Sequence, residues 1–359
     1  MPDIATLHER QDYFMLYTNF VARAAYLGIF FITIVTLIGC NDSGLLGVGE
    51  TGNADGVTYI YTIGDDGGLH KITDEGDLVW TITLHDDYVA RGLAISPEGT
   101  IYSSAGPNIV SLSPEGEVEW TYDDLPGATD ISISDDGYIL ALSSSELHKI
   151  TPDGQRVWRY ATPHLHVPWW SQIKNMGTDR KGNTYVRETR PQHWTGENTT
   201  YGIAQVDQNG KLSWYTEMSD KARILFDSCN TGAICASTGN DYIYSIDSHG
   251  AIIDSLGFEY DIGNFSTSGS GDTFTYGRGL ARLYSDNLDK IWDVETDHDH
   301  THYIVLDSEK HTSYIVFNDV EPELGIAYSY VYSVSDDGSV NWTRSNHSGS
   351  IRGIAISKW

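Results

Sequence analysis

Two short segments hold most of the residues able to do chemistry. One reads TPHLHVPWW and carries His164 and His166; the other reads TDHDHTHYIVLD and carries His298, His300 and His302. Histidines at a spacing of two fall on one face of an extended chain, because successive strand residues point to opposite sides. A His-x-His-x-His face binds zinc or copper through imidazole nitrogens, which makes His298, His300 and His302 a candidate divalent-metal site. The chain's cations form a second pattern, set against 50 acidic and 22 basic residues and a formal net charge of −28. Such a surface repels nucleic acid and anionic headgroups, so DNA and RNA are excluded as main partners. The same acidity also serves plain solubility or a salty environment.

Internal repeats say what must position these groups. From Arg91 the chain reads RGLAISPEGTIYSSAGPNIVSLSPEGEVEWTY, four short strands separated by turns. Alternating apolar residues such as Leu93 and Ile95, or Val118 and Trp120, fit strands with one preferred packing face. Units of this kind recur to Trp158, Trp214, Gly250, Trp292 and Trp342. The opening stretch from Val57 has three strands and lacks the first. RGIAIS, from Arg352 at the tail, repeats RGLAIS and supplies it. The expected fold is all-β: a seven-bladed β-propeller over residues 56–359, closed by the C-terminal strand joining the first blade and leaving no long open edge. A Trp follows a turn Gly by four residues at Gly76/Trp80, Gly116/Trp120, Gly154/Trp158, Gly210/Trp214 and Gly338/Trp342. These tryptophans are expected to staple the core. Blade five has Asp254 in place of the Trp, and blade six has Leu288 in place of the Gly.

In a propeller the loops entering the innermost strands gather at one mouth of the channel. The histidine segments precede blades four and seven, about 150° apart around a seven-bladed ring. On the same alignment Arg91 matches Arg352 and Lys174, and falls at or beside His302; Thr129, Ile224 and Gly263 fill the remaining places. Arg91, Lys174, Arg352, His164 and His298 thus line a candidate pocket for a carboxylate, sulfate or phosphate. The competing reading pairs each Arg with an Asp of a neighbouring blade, and Asp130 stands one step away. A long insertion, RPQHWTGENTT, interrupts blade four and offers His193 and Trp194 as a binding loop or a lid.

At the N-terminus the apolar run from Ala24 to Ile38 is short for a membrane span and suits a signal-peptide core. It ends Leu37-Ile38-Gly39-Cys40, which resembles a bacterial lipobox. That resemblance implies a signal peptide over 1–39, a lipidated Cys40 and a tether over 40–55, and places the protein in the bacterial cell envelope, facing the periplasm or the exterior. An uncleaved anchor helix is the rival. A start at Met15 gives a more ordinary signal peptide than Met1. Cys229 and Cys235, across a short turn, form either a hairpin disulfide or two buried thiols.

The phrases VDQNGKLSW, SPEGEVEW and TPDGQRVW resemble the tryptophan-docking repeat of PQQ-like propellers. That superfamily includes quinone-dependent dehydrogenases and lipoprotein scaffolds of outer-membrane protein assembly. The chain lacks the adjacent-cysteine disulfide and any evident calcium cluster of the dehydrogenases, so no pyrroloquinoline quinone and no other cofactor is expected. HDHTHYIVLDSEKHTSYIVFND and HLHVPWWSQIKNMGTDRKGNTYVRE are fainter in their likeness, to arylsulfotransferase propellers. That likeness implies catalytic roles for His166 and for His300 or His302, with Arg91 or Arg352 as anion clamp. No P-loop, GxGxxG, HExxH or GxSxG motif is present. DDGG, DEGD and SDDG read as turn chemistry before calcium loops. The expected function is binding or scaffolding of an envelope protein or an anionic small molecule at the mouth; the alternative is sulfuryl-group transfer there.

Overall fold

The computed structural model describes residues 57–85, 91–125, 127–161, 176–179, 181–191, 199–218, 225–227, 234–237, 242–259, 262–267, 272–277, 279–285, 289–295, 301–307, 310–320, 327–346 and 349–358. They form seven four-stranded antiparallel sheets. Blade one holds β1 (Thr58–Gly64), β2 (Gly68–Thr73) and β3 (Leu78–Thr83). Blade two holds β4 (Leu93–Ile95), β5 (Ile101–Ala105), β6 (Asn108–Leu112) and β7 (Val118–Tyr122). Blade three is β8 (Asp130–Ile133), β9 (Ile139–Leu142), β10 (Glu146–Ile150) and β11 (Arg156–Ala161). Blade four is β12 (Met176–Thr178), β13 (Thr184–Pro191), β14 (Thr199–Val206) and β15 (Leu212–Met218). Blade five is β16 (Leu225–Asp227), β17 (Ile234–Ser237), β18 (Tyr242–Ile246) and β19 (Ile252–Gly257). Blade six is β20 (Asn264–Thr267), β21 (Thr273–Gly277), β22 (Leu280–Tyr284) and β23 (Lys290–Glu295). Blade seven is β24 (Thr301–Asp307), β25 (Thr312–Val320), β26 (Ala327–Ser335) and β27 (Val340–Asn346).

The last strand, β28 (Ile351–Lys358), pairs antiparallel with β1 from Thr58↔Lys358 to Gly64↔Ile351 and becomes the inner strand of blade one. Inner strands touch in order around the whole ring, from β28 to β4 and on to β24, which touches β28 again. The protein is therefore a seven-bladed β-propeller closed by its C-terminal strand.

The turns before each outer strand follow from side-chain chemistry. Asp207 Oδ1 accepts from the N–H groups of Asn209 and Lys211, both at 2.9 Å, while Gly210 takes φ +79. Asp247 does the same for His249 and Ala251. These hydrogen bonds hold both carboxyls below the usual carboxylate range, as turn acceptors. Each blade then carries a bulge at the same place, after Lys71, Ser111, Lys149, Gln205, Ser245, Leu283 and Ser333. Bulges add local twist, which suits radial blades.

The middle strands are packed on both faces. β5 and β9 are buried at every position, whereas the outer β3 and β11 alternate. The alternation in a middle strand selects which neighbouring blade is touched: Ile60 packs toward blade seven and Tyr61 toward blade two. Each junction between blades has its own apolar cluster.

The tryptophans are staples packed between blades, as expected, and each docks on the following blade. Trp120 lies on Gly154 and donates from Nε1 to Pro152 O at 2.9 Å; Trp158 does so on Gly210 and Gln208 O, and Trp214 on Gly250 and Ser248 O. Trp342 of blade seven lies on Gly76 of blade one and bonds Asp74 O at 2.6 Å, a second closure of the ring. Trp292 docks on Gly338, and Trp80 faces Gly116. This explains the two exceptions in the repeat. Blade five has no Trp to dock and blade six has no Gly to receive it, because both belong to one junction. There Phe258 meets Tyr284 edge-on at 5.4 Å.

Candidate functional site at the channel mouth

Strand direction places the entering loops and the turns between second and third strands on one face, the mouth. On that face two blades stand taller than the rest. β13 and β14 pair over eight residues, Thr184↔Val206 to Pro191↔Thr199, and β25 and β26 over nine, Thr312↔Ser335 to Val320↔Ala327. The corresponding hairpins of blades one, two, three, five and six pair over four or five. The insertion read from RPQHWTGENTT covers the end of β13 and the start of β14, and residues 192–198, with His193 and Trp194, lie outside the described residues. Blades four and seven are also those entered by the histidine segments.

Arg91 and Arg352 each stand at the head of an inner strand, held there by backbone clamps. Ser104 Oγ accepts from the N–H groups of Arg91 at 2.8 Å and Gly92 at 3.0 Å. In blade seven, Asn318 bonds Ile351 in both directions, Nδ2 to O at 2.9 Å and N to Oδ1 at 3.0 Å, and Ser329 Oγ accepts from Ile351 N–H at 2.8 Å. The Gly after each Arg has a steric role. A Cβ on Gly92 would meet Ile131 at 2.6 Å, and one on Gly353 would meet Ile63 at 3.0 Å and Arg91 O at 3.3 Å. The repeated Arg-Gly phrase thus pairs a mouth-facing cation with close inner-strand packing.

The two arginines differ in their partners. Arg352 is committed: its Nε and a terminal nitrogen donate to the two oxygens of Asp65, both at 2.6 Å. Asp65 is in turn placed by its N–H on Ser350 O at 2.9 Å. Arg91 has no ion pair among the described residues. Burial lowers its pKa first and the like charge of Arg352 second, while Tyr303 and Asp65 act in the other direction. Tyr303, packed against Val316, Val331 and Ile351, is pushed up by burial and by Asp130 and Asp65, against the pull of both arginines. It is a neutral phenol at physiological pH. The cluster therefore presents one committed guanidinium, one without an ion pair among the described residues, and a neutral phenol beside them. Such a set can hold an oxyanion.

Of the residues expected to meet here, Arg91 and Arg352 do. His302 belongs to β24 at the equivalent level, where the register skips from Thr301↔Phe317 to Tyr303↔Val316 and leaves a bulge. His164, His166, Lys174, His298 and His300 lie outside the described residues, as do Cys40 and Cys229. Among the described residues no His/Cys/Asp/Glu group could hold a metal ion. Cys235 is disulfide-bonded. Tyr303 and Asp65 escaped sequence reading: Asp65 sits in the DDGG turn, where its abundance of turn-like neighbours hid a partner 287 positions away.

No protein-family model matches this chain, and no curated protein matches it. Solved structures do. A protein of unknown function from Bacteroides caccae is similar with a TM-score of 0.53 at 13% identity, over 84% of this chain and 98% of that one. The WD40 β-propeller domain of Doa1 gives 0.52 at 10%, over 76% and 92%. The WD40 domain of Neurospora crassa Pan2 gives 0.51 at 12%, over 75% and 81%. At these identities the likeness is one of fold alone.

Proposed function

We propose that this chain is a cell-envelope binding propeller that receives an acidic group at its channel mouth, borne by a protein partner or an anionic small molecule. The observation that carries the reading is Arg91: a half-buried guanidinium without an ion pair among the described residues, in a protein with 50 acidic residues, beside an Arg352 already satisfied by Asp65. The walls of blades four and seven support a bounded mouth. Tryptophan docking between successive blades supports a PQQ-like repeat. Residues 1–39 act as signal peptide, Cys40 carries the lipid, and residues 40–55 tether the propeller to the membrane.

A photo-crosslinking residue placed at Thr129, the matching inner-strand head of blade three, tests this in envelope membranes with Arg91 intact and Glu98 on the opposite face as control. Adducts that form at 129, weaken with salt, are lost in Arg91→Gln and are absent at 98 support the reading; equal labelling at both positions contradicts it. Turnover of an aryl sulfate, lost in His300→Gln or His302→Gln, would replace binding by group transfer.

A further inference from the structure

Lys71, Lys149 and Arg187 are the buried cations among the described residues. Lys149 pairs with Asp136 at 2.9 Å. Lys71 donates to Pro114 O at 3.1 Å and lies 4.2 Å from the centre of the Tyr59 ring. Arg187 has neither. It is 3% exposed, its Nε has no hydrogen-bond partner, and its guanidinium faces the Tyr201 ring at 5.7 Å. Among the described residues no carboxylate acts on it: burial lowers its pKa, opposed by the Tyr201 phenol. Burying a guanidinium without a counter-charge is costly, and an acidic chain has no shortage of carboxylates to prevent it.

Its place is informative. The pairing of β12 with β13 begins at Met176↔Val186, so Arg187 is the first residue of β13 above the inner strand, at the foot of the blade-four wall. The matching position in blade two is Ser104, which clamps Arg91. Arg187 therefore lies in the mouth layer, two blades from Arg91, in an independent setting.

We propose that Arg187 is the receptor for a carboxylate group that enters through the mouth and settles beside Tyr201. The planar fork of a guanidinium matches the two oxygens of a carboxylate, and one carboxylate neutralises one arginine. A phosphate dianion would leave excess buried charge. The carboxylate comes either from a free small acid or from an acidic side chain of a peptide.

Thermal unfolding of the full chain in detergent tests this with two probes at matched ionic strength, succinate and a hexaglutamate peptide. Binding to the folded state raises the midpoint, by about 3 °C at saturating probe. A rise with succinate assigns a small acid; a rise with the peptide alone assigns a partner's side chain. Measured in an Arg91→Gln background, which removes the other mouth guanidinium, either rise must vanish on adding Arg187→Met, which separates this site from Arg91. Without probe, Arg187→Met should melt no lower than the parent, since it removes an uncompensated buried charge. Should that variant fail to fold, Arg187→Lys keeps the charge and loses the fork, and the rise should fall by at least half. No rise with either probe, or a rise unchanged in these Arg187 variants, overturns the proposal.

Discussion

Replacing Gly210 by alanine should cost far more than the same change at Gly137, although both glycines sit at φ +79. Alanine at positive φ costs about 1–2 kcal/mol wherever it occurs. A Cβ on Gly137 meets nothing within 4 Å, so that strain is the whole effect. On Gly210 the Cβ lies 2.8 Å from Cδ2 of Trp158 and 3.0 Å from its Cγ and Cε3. Trp158 must move, which strains its hydrogen bond of 2.9 Å to Gln208 O and opens the junction of blades three and four. The lost bond is worth about 1 kcal/mol and the overpacking at least as much. Gly210→Ala should therefore exceed Gly137→Ala by about 2 kcal/mol, or roughly 5 °C in midpoint for a domain of this size. Thermal unfolding of the two purified variants side by side measures it. Equal midpoints would refute the claim that the turn glycine is a docking surface for the preceding blade's tryptophan.

Two further outcomes follow from other junctions. Asp254→Trp and Leu288→Gly together rebuild the missing dock between blades five and six; the double variant should be more stable than the sum of the singles, and strict additivity in urea unfolding would count against the shared-junction explanation. His148 has no exposed surface, and its ring nitrogens lie 2.7 Å from the Tyr122 hydroxyl and 2.8 Å from Glu146. Burial, opposed by Glu146, holds its pKa below the ordinary histidine value. The unfolded chain then takes up the proton first, so this stability is full above histidine's ordinary pKa and is lost as pH falls toward the lowered folded value. The midpoint should drop on mild acidification, with a shallower slope in His148→Gln; parallel slopes would contradict this.

Much of the fold was legible because a propeller is written as a repeat. RGIAIS at the tail could be matched to RGLAIS, and turn chemistry named each Gly and Asp. Trp docking was half legible: spacing showed a Gly and a Trp four apart, but the contact joins the Trp to the next blade's Gly, roughly one repeat away. Asp254 and Leu288 held that information, as two exceptions in adjacent blades. The mouth position of Arg91 and Arg352 could be read by alignment, whereas the partner of Arg352 could not, because ring closure brings Asp65 to it from the far end of the chain. Arg187 carried no signal at all. An arginine inside YVRETR looks like any strand cation until burial is known.

Crystals grown with selenate, a tetrahedral oxyanion that mimics sulfate and scatters anomalously, address the central claim directly. The account predicts a selenate within hydrogen-bonding distance of the Arg91 guanidinium, with Arg352 still clasping Asp65. A mouth without selenate, in which Arg91 is instead paired with a carboxylate of its own chain, would contradict it.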